Sequence, residues 1–206
     1  MFSHTGSDSI YFNREGRYPN PGAYQSKESP YYPWYSFQNW PQQYESWWGF
    51  ITLPNVKENN PEYNRDINGE DGIVRSWIGR GASGWRLDVA DELPDEFLDN
   101  LRTAVKEQDP DAMVLGEVWE DASTKSAYGQ RRKYLLGTQP DSVMNYPFRH
   151  AILGFLTGAD PAFMMDRTLS IVETYPPQVV RLLWYPSFTH PPHPPFTLLR
   201  RAPPLP

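Results

Sequence analysis

Between Glu70 and Leu183 the apolar residues change period several times, and each change marks an element. In "EDGIVRSWIGRG" Ile73, Val74, Trp77 and Ile78 recur at helical spacing, and Gly79 and Gly81 stop the pattern. "SGWRLDVAD" then reads as a strand that runs into charge. "LPDEFLDNLRTAVKEQ" predicts a helix: Pro94, Asp95 and Glu96 suit its start, and Phe97, Leu98, Leu101, Ala104 and Val105 fall on one face. "AMVLGEVW" predicts a second strand and "DSVMNYP" a third, followed by helices near residues 148–157 and 161–174. Strand and helix alternating at this spacing predict βαβ units on a parallel sheet, an α/β fold. The first 68 residues are of another character, mostly loop rich in Tyr, Trp, Pro and Asn, with one short strand expected near "FITLPNV".

This order places Asp88 and Glu117 at equivalent positions, each at the C-terminal end of a strand, with one helix between the strands. In a parallel barrel, adjacent strand ends open on the face where active sites lie, so the two carboxylates are expected to be neighbours. Paired carboxylates are what retaining cleavage of a glycosidic bond needs, one as nucleophile and one as general acid and base. Arg86, two residues before Asp88, should point to the same side and hold it by a charge-assisted hydrogen bond. Glu117, flanked by Gly116, Val118 and Trp119, is expected in the apolar surroundings that suit a carboxyl to acid duty. On spacing alone, ordinary surface carboxylates explain the pair equally well.

Composition narrows the class. The net charge of −6 gives no basic footprint for nucleic acid, and no apolar run is long enough to span a bilayer. Absence of cysteine excludes disulfides and thiol chemistry and leads to an expected cytoplasmic location. Aromatic residues reach 15%, eight of them Trp, and many lie in polar, Pro-rich stretches where they offer stacking surfaces for sugar rings or simply anchor loops. The 206 residues fall short of the roughly 250 of a typical eight-stranded α/β barrel.

"GWRLDVADE" followed by "GEVWE" resembles the second and third characteristic sequence regions of the α-amylase family, glycoside hydrolase family 13, in its neopullulanase and cyclomaltodextrinase branch. "FSHTGSDS" resembles the end of the first region and "LPNV" the short fifth region, while "VMNYPFR" and "YPPQVVRLL" also read as this branch. The resemblance implies the central part of a (β/α)8 TIM barrel with a loop-rich inserted subdomain. It implies hydrolysis of α-1,4-glucosidic bonds in maltodextrins, cyclomaltodextrins, pullulan or starch by double displacement, and leaves α-1,6-glucosidic bonds open as a further target. A transglycosylase of the same family and a catalytically inactive sugar-binding fragment are the alternatives. By this resemblance Asp88 is the nucleophile, Glu117 the general acid and base, Arg86 the partner that orients Asp88, and His4 a substrate contact. The other candidates for the sugar are Trp47 with its neighbour Trp48, Glu92, Trp119, Asn145 and Tyr146. Each has a plain alternative: a surface histidine, a loop anchor, an acid before a helix, a cap on the core, or a strand-end turn.

Departures matter as much. The family's first region has an Asp five residues before the His, which here would precede Met1, and Ser3 stands where relatives carry Asn, so neither calcium nor any other cofactor is expected. The fourth region, with His-Asp, should follow "PPQVVRLL"; instead "WYPSFTHPPHPPFTLLRRAPPLP" holds 8 of the 22 prolines and no Asp, Glu or Gly. Such a tail is expected to be extended or disordered, the product of a shifted reading frame, and His190 and His193 are not equated with the missing region. The expected organisation is therefore 1–68 for the end of barrel strand 3 and the inserted subdomain, 69–183 for a partial barrel of about strands 4–6, and 184–206 for the non-homologous tail. The chain is expected to be a truncated piece with an unclosed barrel and impaired activity. Its expected partner is an α-glucan, with no nucleic acid, no membrane and no assigned oligomer.

Overall fold

The computed structural model describes residues 2–181; the Pro-rich tail, with His190 and His193, lies outside the described residues. In chain order, a 3-10 turn at Tyr32–Trp34 leads to a two-stranded antiparallel ribbon, β1 (Phe37–Asn39) and β2 (Gln43–Tyr44). A second 3-10 turn spans Trp47–Gly49, and two helices follow, α1 (Pro61–Asn68) and α2 (Ile73–Gly79). Next come β3 (Gly84–Leu87), a 3-10 turn at Ala90–Glu92, α3 (Asp95–Gln108) and β4 (Met113–Gly116). The hairpin β5 (Ser126–Ala127) and β6 (Gln130–Arg131) precedes β7 (Ser142–Val143), α4 (Tyr146–Leu156), α5 (Ala162–Glu173) and α6 (Pro177–Arg181).

The expected parallel sheet is present, in the order β3-β4-β7 with β3·β4 and β4·β7 both parallel, and it does not close among the described residues. α3 is the crossover between β3 and β4. The acids Asp95 and Glu96 lie in its first turn, where they complement the helix dipole, and the five predicted apolar side chains are all buried. Those side chains join Leu87, Val114 and the ring of Tyr63 in one continuous core, and Phe2 reaches it through Trp85 and Phe97 at ring separations of 5.5 and 5.9 Å. Each of the larger ones, Phe97, Leu98, Leu101 and Val105, contributes about 1.5–3 kcal/mol by leaving water. Gly84 opens β3 where a Cβ would stand 2.1 Å from the Met113 carbonyl oxygen, so the register Gly84↔Met113 depends on having no side chain there. Asp141, just before β7, ties the layers together. Its carboxylate accepts from the Val114 N–H at 2.8 Å, from Arg102 at 2.8 Å and from Lys106 at 2.9 Å.

The structure departs from or adds to the sequence pattern at three places. Within the largely irregular first 68 residues "NNPEYNRDIN" forms α1: the Asn60 side chain accepts from the N–H groups of Glu62 and Tyr63, and Pro61 supplies a preset first turn. That signal is a cap without a long apolar stripe, which periodicity passes over. The strand near "FITLPNV" is instead a line of isolated bridges, Ser46↔Pro54, His4↔Asn55 and Tyr35↔Val56. Finally, α2 buries Val74 and Ile78 but leaves Trp77 52% exposed under the Arg80 guanidinium, so its apolar face is narrower than the sequence pattern. Among the described residues no helix is long and apolar enough to cross a membrane.

Candidate active site

The site is built where β3, β4 and β7 end. β3 stops at Leu87, and Asp88 and Val89 follow, Val89 with φ +43, a left-handed conformation that a β-branched residue rarely adopts. This turn aims the Val89 N–H at Glu117, which it meets at Oε2, 2.9 Å away. Backbone bonds lock the same pair of loops: the Glu117 N–H donates to Leu87 O at 2.9 Å and the Ala90 N–H to Glu117 O at 3.0 Å. From the third strand end, the Tyr146 hydroxyl in the first turn of α4 donates to Glu117 Oε1 at 2.8 Å.

Arg86 joins the two acids. Its Nη2 lies 2.7 Å from Glu117 Oε1, and its Nη1 donates to Asp88 Oδ1. A single guanidinium thus holds both carboxylates as neighbours, one open and one closed: the Asp88 side chain is 32% exposed and that of Glu117 1%. Burial works against the charge on Arg86, but the hydrogen bond to Asp88 and the charges of Glu117 and Asp88 prevail, and its pKa rises. Burial and the Glu117 carboxylate push the Tyr146 phenol up to about 12, so it stays a donor at neutral pH. The surroundings of Glu117 are therefore not the apolar ones expected. A guanidinium, a phenol and a backbone N–H meet it, because the chain folds donors from three strand ends onto a carboxylate whose sequence neighbours are apolar.

A rim of aromatic and polar groups stands beside Asp88. His4 is half-buried, 3.3 Å from the Ser3 hydroxyl at Nδ1, with its ring 5.5 Å from that of Trp47; burial lowers its pKa while the Asp88 charge acts in the opposite direction. Trp47 stacks on Trp48 at 4.9 Å and on Phe50 at 6.0 Å, so its own rings are largely engaged. Trp48 is the open one, 57% exposed, with φ +51, its Nε1 donating to Glu92 Oε1 at 3.1 Å and its ring edge-on to Trp119 at 6.0 Å. Glu92 also accepts from the Ser3 hydroxyl at 3.4 Å; burial raises its pKa, opposed by these hydrogen bonds and reinforced by the charge of Asp88. Asn145 is buried and caps α4 by accepting from the Phe148 N–H at 3.1 Å. Of the predicted residues, Asp88, Glu117, Arg86 and Tyr146 form one cluster, His4, Trp47, Glu92 and Trp119 form the rim, and Asn145 serves the helix start.

Sequence reasoning missed the support beneath this rim. Tyr128, at the tip of the β5–β6 hairpin, has φ +54 and is followed by Gly129 at φ +71; its hydroxyl donates to Glu92 O at 2.7 Å. Buried Arg132 donates to Tyr134 Oη at 3.0 Å and to Leu93 O at 2.5 Å and pairs with Asp95 at 3.0 Å, while Tyr134 donates to Asp91 at 2.8 Å. The hairpin had only a weak signal, Gly129, because Tyr128 stands where the usual turn dipeptides carry Asn, Asp or Gly. Arg132 had none, since a buried arginine reads as a surface charge until its partners are known. Among the described residues no group of three or more His, Asp or Glu is placed to hold a metal ion.

Known proteins are similar to this chain in sequence and in backbone. A sequence profile described as "Alpha amylase, catalytic domain" matches residues 2–175. The amylopullulanase of Thermoanaerobacterium saccharolyticum is 39% identical over 207 residues, covering 85% of this chain and 15% of that protein. Neopullulanase 2 of Thermoactinomyces vulgaris is 34% identical over 167 residues, covering 77% of this chain and 26% of that protein. The solved cyclic α-maltosyl-(1→6)-maltose hydrolase of Arthrobacter globiformis, in complex with its namesake sugar, superposes with a TM-score of 0.74 at 26% identity, covering 89% of this chain and 39% of that one. The chain thus spans well under half the length of these relatives. The extent of the profile match, together with three parallel strands ending at Asp88, Glu117 and Tyr146, places this chain in the α-amylase catalytic-domain family.

Proposed function

We propose that the chain carries the two catalytic carboxylates of a retaining glycosidase that cleaves α-1,4-glucosidic, and also α-1,6-glucosidic, bonds of maltodextrins, cyclomaltodextrins, pullulan or starch. In this reading residues 1–68 end one barrel strand and form the inserted subdomain, and residues 69–183 supply the strands that present the acids. Asp88, open to solvent and oriented by Arg86, attacks the anomeric carbon as the bond to the leaving oxygen breaks, and Glu117 gives that oxygen a proton. Glu117 then takes a proton from water, whose oxygen displaces Asp88 from the sugar. Arg86 fixes the two groups in one geometry, and Tyr146 and the Val89 N–H fix the buried acid. Trp48, Trp119 and Glu92 line the approach, with Trp48 offering an exposed face to a sugar ring and His4 flanking the nucleophile.

The observation that carries the reading is the shared guanidinium: two acids on adjacent parallel strand ends held by Arg86. The test is release of reducing ends from maltoheptaose and pullulan by the chain, with Asp88→Asn and Glu117→Gln alongside. Turnover lost in both variants while each stays folded supports the assignment. Turnover that survives Asp88→Asn overturns it.

A further inference from the structure

The turn Ala90–Glu92 runs from the strand end that carries Asp88 to the rim, and the segment after β4 grips it from outside. Arg132 donates to Leu93 O at 2.5 Å and reaches Ala90 O at 3.5 Å, Lys125 pairs with Asp91 Oδ2 at 2.9 Å, and Tyr134 donates to Asp91 Oδ1 at 2.8 Å. These bonds hold the turn on both sides of Glu92. Glu92 itself is held from the tip of the β5–β6 hairpin, where the Tyr128 hydroxyl donates to its carbonyl oxygen at 2.7 Å. Packing does not account for a tyrosine there, because Tyr128 is 61% exposed and sits at φ +54 beside Gly129 at φ +71, a pair of left-handed conformations that suits Asn-Gly or Gly-Gly. Its ring lies over the Arg132 guanidinium at 5.7 Å, which fixes the direction of the hydroxyl. Partial burial and the charges of Glu58 and Glu92 push the phenol up to about 12, so it remains a donor at neutral pH.

What Tyr128 holds is the joint between the rim and the acids. The Glu92 carboxylate accepts from Trp48 Nε1 at 3.1 Å and from the Ser3 hydroxyl at 3.4 Å, so Trp48 keeps its place through this one side chain. At the other end of the same turn the Val89 N–H meets Glu117. Trp119 lies two residues beyond Glu117 and edge-on to Trp48. In the glycosidase reading Glu117 protonates the leaving oxygen, so this part of the rim stands on the side where the leaving sugar departs and the acceptor arrives. A wall there acts on rate through the placing of that sugar.

We propose that Tyr128 is a positioning residue for the sugar on the leaving side: by fixing the Glu92 carbonyl, its hydroxyl holds the Glu92 carboxylate and Trp48 in place and sets the preference for a glucan leaving group over a small one. The proposal rests on the glycosidase reading above and adds to it a residue that touches neither acid.

Tyr128→Phe keeps the ring and removes the hydroxyl. Maltoheptaose loses a sugar that crosses the rim, whereas α-maltosyl fluoride loses a fluoride ion that does not reach it. The ratio of kcat/KM for maltoheptaose to that for the fluoride should fall about fivefold or more in Tyr128→Phe, through KM, which is the scale of one neutral hydrogen bond. An equal fall for both substrates, or none for either, overturns the proposal and leaves the roles of Asp88 and Glu117 standing.

A second readout does not need turnover. In the sugar-free, 15N-labelled chain the Trp48 indole N–H resonance, assigned with Trp48→Phe, should move in Tyr128→Phe, while those of Trp40 and Trp85, bonded to the Ala23 and Val74 carbonyls, stay in place. A Trp48 resonance that does not move overturns the proposal, and so do shifts spread over all three indoles, the signature of a merely structural loss. A chain that turns over neither substrate overturns the catalytic reading instead. Maltoheptaose affinity, followed through the same Trp48 resonance, then carries the test: a loss of about fivefold in Tyr128→Phe supports the positioning role, and an unchanged affinity overturns it.

Discussion

Arg86 Nη2 lies 2.7 Å from Glu117 Oε1 while the other terminal nitrogen of the same guanidinium is bonded to Asp88. A planar fork can hold two carboxylates in one fixed arrangement; an ammonium on a flexible stem cannot. Arg86→Lys should therefore keep the charge and lose the geometry, lowering kcat/KM for maltoheptaose by about 10²-fold, within the range found when one preorganised donor is removed. Steady-state kinetics decide this, and a loss smaller than threefold would mean that the bridge is not used in turnover.

Tyr146 gives the buried Glu117 side chain a neutral donor. Tyr146→Phe removes it without changing the ring's volume much, and a hydrogen bond to a charged group contributes about 1.5–3 kcal/mol. The melting temperature should fall and kcat/KM should drop by about 10- to 150-fold on the same energy scale. If calorimetry and kinetics both match the parent, the bond is dispensable.

Trp48 combines φ +51 with 57% exposure, a backbone conformation that suits glycine and a side chain that buries little. Trp48→Gly should relieve the strain and leave stability equal or up to about 1 kcal/mol higher. Oligosaccharide binding at the rim should weaken at least severalfold. Paired urea melts and binding titrations separate the two effects, and a strongly destabilised variant would show that the indole's bond to Glu92 outweighs the strain.

Burial, with the charge of Glu92 adding to it, pushes the Glu58 carboxyl up to about 7 from its ordinary value of 4.5. The folded chain then binds this proton more tightly than the unfolded chain, so its contribution is favourable below pH 4.5 to 7 and is lost as pH rises through that window. Glu58→Gln should stabilise the protein at pH 8, change little at pH 4, and flatten the slope between. Melting temperatures across that range that run parallel to the parent's would contradict the assignment.

The three donors on Asp141 act in the opposite direction. Burial raises its pKa, but bonds from the Val114 N–H, Lys106 and Arg102 outweigh that and hold it below 3.8. Its contribution is present above the unfolded value and disappears as pH falls through the lower folded one. Asp141→Ala leaves the Val114 N–H without its acceptor, while Arg102 and Lys106 keep carbonyl partners, and should cost about 1–3 kcal/mol near neutral pH. The deficit in urea unfolding should shrink below pH 3.

The parallel βαβ order, the buried face of α3 and the placement of Asp88 and Glu117 at successive strand ends were legible in the residues alone, because hydrophobic period and strand-end charge are local properties of the chain. It also carried the family resemblance in "GWRLDVADE" and "GEVWE". The remaining features arise only when the chain folds. Only folding brings Tyr146 and the left-handed Val89 onto Glu117, turns apolar sequence neighbours into a cage of donors, buries Arg132 beneath the rim, and leaves Trp48 open while Trp47 is engaged. Hydrogen bonds between residues tens of positions apart depend on where the loops after β3, β4 and β7 meet, and no periodicity within one element encodes that meeting.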